Sequence, residues 1–163
     1  MSEKVDIFLF GHIDAKKAEA VSQKIIESKG KQVNLYISSE GGFLHPGFAI
    51  IGAMSVNKNV TTIGLGRVAS TAFAIFLSGK KRTCHKNCLF FYHGISDTIE
   101  GEIQQLKEMV AANVELQNQA DQIVLNKTLI TKKKLTSIKK KSQTWMITSD
   151  EALDLRIVEG VCL

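Results

Sequence analysis

The chain has 163 residues, 44% of them hydrophobic, with a net charge of +5, 12 glycines and 1 proline. That length suits one domain, and so much apolar content buries a core without disulfides, which excludes disordered and fibrous classes. Three cysteines, Cys84, Cys88 and Cys162, form no paired pattern with histidine, so they are expected as reduced thiols of a cytoplasmic protein and not as metal ligands.

The N-terminus, Met1 to Asp6, is charged and lacks the order of a signal peptide, and no apolar run approaches the roughly 20 residues of a membrane span. No membrane partner is expected. Much of the positive excess sits in Lys132, Lys133, Lys134, Lys139, Lys140 and Lys141, which reads as a solvated helix face or turn. One Trp and two Tyr supply no stacking platform for bases, so nucleic acid is not the expected partner.

In chain order, Asp6 to Phe10 is an apolar, β-prone strand, followed at Gly11 by a turn and then by an amphipathic helix from Ala15 to Ser28. Val33 to Ser38 predicts a second strand that ends at Gly41-Gly42, and Gly47 to Val56 a second helix. Val60 to Leu65 is a β-branched strand closed by Gly66, after which Ala69 to Leu77 is apolar nearly all round and reads as a buried helix. Lys81 to Cys84 and Leu89 to Tyr92 are short strands around a turn at His85-Lys86-Asn87, which leaves His93 at a strand end.

From Glu100 to about Lys127 runs a long helical pattern with Ile103, Leu106, Val110, Val114 and Val124 near one face, longer than a small core can cover, so part of it is expected to project into a partner. Thr148-Ser149-Asp150-Glu151 has the spacing of a capping box and predicts a short helix from Glu151 to Leu155. Alternating strands and helices indicate an α/β domain with mostly parallel strands.

Three segments carry candidate chemistry. Paired glycines in Ser38-Ser39-Glu40-Gly41-Gly42 let backbone amides approach a ligand, or make a plain turn. Ser70, in Gly64 to Ala72, stands near the start of the buried helix, either as a nucleophile beside free amides or as a helix cap. His93, at the end of Phe90-Phe91-Tyr92, is in place to take a proton from a serine hydroxyl, although a lone strand-end histidine is more often structural.

Taken together in this order, the segments resemble the proteolytic subunit of Clp protease, of the crotonase-like superfamily. The likeness runs from about Val5 to Val161 and is carried by IFLFGHID, LYISSEGG, GRVASTAFAIFLSG, FFYHG and ITSDEALDLRIVEGV. The resemblance implies a crotonase-like α/β fold of repeated β-β-α type over residues 1–163, with a projecting handle helix at about 95–130. It implies a serine endopeptidase with Ser70 as nucleophile, His93 as base and the backbone amides of Gly42 and Thr71 as oxyanion hole, needing no cofactor. The substrate would be a peptide or unfolded protein bound as an added strand along the segment after Gly42, inside a homo-oligomeric chamber of one heptameric ring or of two stacked to fourteen.

The chain also departs from the family. The aspartate of the family's triad aligns with Thr144, or with Gln143 after a shift of one residue, and neither is a carboxylate. Glu40 stands where the family has proline, beside the expected oxyanion hole, where an inward carboxylate would oppose the developing charge. The chain begins close to its first strand, without the family's N-terminal hairpin, so engagement of a Clp ATPase is doubtful for this chain alone. These departures keep open a weak or inactive paralogue that serves as a structural or regulatory ring subunit. Acyl-CoA chemistry of the crotonase kind and nucleic-acid binding through the lysines are the remaining alternatives.

Overall fold

A computed structural model describes residues 4–96 and 98–162. In chain order the elements are β1 (Lys4–Ile13), α1 (Ala15–Glu27), β2 (Gln32–Gly42), α2 (Leu44–Val56), β3 (Val60–Ala69), α3 (Thr71–Leu77), β4 (Lys81–His85), β5 (Leu89–Tyr92), α4 (Ile103–Lys127), α5 (Lys132–Lys140), β6 (Trp145–Ile147), α6 (Ser149–Asp154) and β7 (Gly160–Cys162). The mixed α/β architecture has a mostly parallel sheet, as expected from the strand–helix alternation. None of its helices is long and apolar enough to cross a membrane, among the described residues.

Local chemistry sets the boundaries. Asp14 caps α1 by accepting the Lys17 amide at 2.8 Å, so the helix starts immediately after β1. At the other end of the chain, Thr148 and Glu151 form the reciprocal capping box their spacing predicts, and α6 follows. The lysine-rich segment is α5, with Leu135 and Ile138 buried beneath it.

β1, β2, β3, β4 and β7 lie side by side in that order, all parallel. β3 has two neighbours on one side: Thr61 to Gly64 pair with β4, whereas Arg67 to Ala69 pair with β5. The sheet forks between these stretches, where Gly66 takes a positive φ of 62° that a residue with a Cβ would resist. β6 then adds to β5 as an antiparallel strand, Tyr92 opposite Trp145.

Ile7 and Leu9 of the edge strand β1 and Leu35 and Ile37 of its neighbour β2 share the core with Ile25 of α1 and Ile50 of α2. Every residue of α3 is buried, as expected of a helix with no polar face. Phe73 and Phe76 of α3 meet Phe90 of β5 at ring-centroid distances of 6.0 and 5.0 Å. Those contacts pin the helix that follows Ser70 to the strand that precedes His93, and truncating such a ring to Ala typically costs about 3–5 kcal/mol.

The sequence reading starts the buried helix at Ala69, but Ala69 is still strand and pairs with Phe91, and the helix begins at Thr71. The β3–β5 ladder overrides the helical composition of that stretch.

Candidate active site

Ser70 occupies the single residue between β3 and α3, with φ 55° and ψ −126°. A residue with a Cβ resists such a conformation, at a cost of order 1–3 kcal/mol, and a surrounding that fixes the backbone must maintain it. Here the Ser70 amide donates to the Phe91 carbonyl at 3.0 Å, and the Ser70 carbonyl accepts from the Phe73 amide at 2.9 Å. The hydroxyl makes no capping bond to the helix, which removes the reading of Ser70 as a simple cap. A sharp strand-to-helix turn of this kind presents a hydroxyl at the end of the sheet.

The glycines before it serve that turn. Gly41 has φ 97°, and a Cβ there would stand 2.8 Å from both the Ala69 carbonyl oxygen and the Ser70 Cβ. Gly42 packs still more closely on the Ile13 backbone, and its carbonyl accepts the Thr71 hydroxyl at 2.9 Å. As the first residue of α3, Thr71 has a backbone amide that no earlier turn of helix can use.

His93 follows β5 directly and is half-buried. Its Nδ1 lies 2.7 Å from the Gly94 carbonyl oxygen. A carbonyl only accepts, so Nδ1 donates and the neutral ring keeps its lone pair on Nε2.

One cavity is lined by Gly42, Ser70, Thr71 and His93 together, with apolar walls from Leu44, Phe73 and Val124. Ser70 and His93 share it without a hydrogen bond between them among the described residues. Gln143 and Thr144 are exposed and line a second cavity that His93 also borders, together with Lys139. Glu40 is exposed while its neighbour Ser39 is buried, and it is not among the residues lining the Ser70 cavity. No cluster of histidine, cysteine, aspartate or glutamate suited to a metal ion occurs among the described residues.

Beneath His93 lies a polar cluster that the sequence reading does not include. Asp121 of α4 is buried and accepts the Tyr92 hydroxyl at 2.6 Å and the Gln117 side-chain amide at 2.7 Å. Lys139 of α5 forms an ion pair with the same carboxylate. Burial, and then the hydrogen bond and charge of Asp121, push the Tyr92 phenol well above the usual tyrosine range. The signal for this cluster was present: the apolar stripe Ile103, Leu106, Val110, Val114 continues by helical spacing to 117, 121 and 124, and two of those three positions are polar.

The family model described as Clp protease matches residues 1–162. A likeness carried by scattered motifs therefore extends over nearly every strand and helix described above, and this chain belongs to the Clp protease family.

Proposed function

We propose that the protein is a serine peptidase that cuts peptides or unfolded polypeptides, with Ser70 as nucleophile and His93 as base. The observation that supports it most is the uncapped hydroxyl of Ser70, held on a strained turn in the same cavity as a histidine whose Nδ1 is already engaged. In this reading Nε2 takes the hydroxyl proton as Ser70 Oγ attacks the peptide carbonyl, and the resulting imidazolium gives that proton to the leaving amine. Water then hydrolyses the acyl-enzyme by the reverse use of the same base. The amides of Gly42 and Thr71 are the proposed oxyanion donors, and the apolar walls of the cavity would receive an apolar side chain of the substrate.

A carbonyl can fix the imidazole tautomer, but it carries no full negative charge to stabilise the imidazolium. Replacing the acid in a serine protease triad by its amide lowers turnover about 10⁴-fold, partly through the wrong tautomer. A correct tautomer with no charge behind it implies slow hydrolysis. Fluorophosphonate labelling of Ser70, together with cleavage of an unfolded protein and a fluorogenic peptide, tests the reading. Wild type is expected to label and cut, and Ser70→Ala to do neither.

The backbone acceptor on Nδ1 also favours a second reading, in which the chain is a weak or inactive ring subunit that assembles through α4. Absence of labelling and cleavage in a protein that sediments as a ring would select it. The exposed position of Glu40 removes one argument for that alternative, because its charge does not face the cavity.

A further inference from the structure

The residues on both sides of His93 are tied to one carboxylate. On the N-terminal side, the Tyr92 hydroxyl donates to Asp121 Oδ1 at 2.6 Å. On the C-terminal side, the Ile95 amide donates to Gln117 Oε1 at 2.7 Å, and Gln117 Nε2 donates to Asp121 Oδ1 at 2.7 Å. Between these two ties stands Gly94, whose carbonyl holds the His93 ring. Lys139 completes the cluster through its ion pair with Asp121, and its stem packs where a Cβ on Gly94 would lie 3.2 Å from its Cγ.

We propose that Asp121 is the positioning residue for His93: through Tyr92 on one side and Gln117 and Ile95 on the other, it clamps the Gly94 carbonyl in the place from which that carbonyl sets the Nδ1–H tautomer. The proposal rests on the reading of His93 as the base.

Residues after β5 have left the sheet ladder, so Ile95 would otherwise lack a fixed partner for its amide, and a free peptide there would let the Gly94 carbonyl rotate away from the ring. Asp121 is 8% exposed, so its hydrogen bonds are made in a medium where they are strong and where leaving them unmade is costly. Its carboxylate does not touch the imidazole, and it therefore acts on the base through the backbone.

The test reads the ring itself. Protein labelled with ¹⁵N-histidine is compared by long-range ¹H–¹⁵N correlation in wild type and Asp121→Asn, with His93→Gln to assign the signal. Wild type is expected to show His93 as the Nδ1–H tautomer, and Asp121→Asn to show a mixture, with kcat lowered about tenfold to a hundredfold and KM within about twofold. The double variant Asp121→Asn/Lys139→Met is expected to recover the wild-type pattern, because the amide oxygen accepts from Tyr92 and Gln117 with no unpaired ammonium beside it.

Should Asp121→Asn alone fail to fold, Tyr92→Phe decides. Tyr92→Phe removes one tie and is expected to shift the tautomer balance partway. An unchanged His93 pattern in folded Asp121→Asn, or in Tyr92→Phe when the former does not fold, overturns the proposal. A wild type with no peptidase activity whose tautomer still responds to Asp121→Asn keeps the clamp and removes the catalytic reading; an active wild type with tautomer and kcat unmoved removes the clamp alone.

Discussion

A methyl group on Gly41 would meet the Ala69 carbonyl and the Ser70 Cβ at 2.8 Å, and the Thr71 amide nitrogen at 3.1 Å. All three belong to the turn that carries Ser70, the proposed nucleophile, and two of the three contacts are with backbone, which cannot swing aside. Gly41→Ala is therefore expected to destabilise the protein by about 1–3 kcal/mol, measured by urea denaturation, and to remove Ser70 labelling even in the fraction that stays folded. The sequence shows a glycine pair after a strand, but a pair alone does not separate a plain turn from a close approach to another segment. That segment lies about thirty residues further along, and only the parallel pairing of β2 with β3 brings it near. The same holds for Asp121, whose partners come from β5, its own helix and α5. A stripe interrupted by polar residues was visible, whereas the hydroxyl and ammonium that satisfy Asp121 were not.

Among the elements, the capping box of α6 was the most legible, because a cap is a contract between residues three apart, although the helix starts at Ser149, two residues before the Glu151 expected from the sequence. Thr148 accepts the Glu151 amide at 3.3 Å, and Glu151 accepts the Thr148 amide at 2.8 Å. Thr148→Ala is expected to cost about 1 kcal/mol in chemical denaturation. Hydrogen bonds from the Thr148 backbone and hydroxyl hold the Glu151 carboxyl below the usual carboxylate range. A depressed folded value means that the unfolded chain binds the proton more readily, so this support is present at neutral pH and is lost as pH falls through the folded value. The Thr148→Ala variant should accordingly differ less from wild type in acid than at pH 7. Less legible was the junction of β3 and α3, where Ala69 reads as helix by composition. Its strand pairing with Phe91 depends on a residue more than twenty positions away.

At the scale of the whole molecule, one end of α4 leaves an apolar stripe uncovered. Along α4, Ile103 is 74% exposed, Val110 51% and Val114 55%, while Val124 on the same helix is 2% exposed. The buried end belongs to the core around Asp121, and the exposed end is the surface through which the proposed ring assembly would form, as its surplus length suggested. Val110→Lys is expected to lower the sedimentation coefficient toward that of a single chain, while circular dichroism remains unchanged. The fork of the sheet carries a further consequence, in temperature. Ser70 takes its amide partner from Phe91, one rung beyond the pairing of Ala69 with Phe91, so the proposed nucleophile and the strand leading to His93 are joined by the main ladder itself. A site built on a surface loop can melt well below its scaffold, but these two strands open only when the centre of the sheet does. Heating should therefore leave the cavity intact until the cooperative transition, with loss of Ser70 labelling and loss of ellipticity tracing one curve.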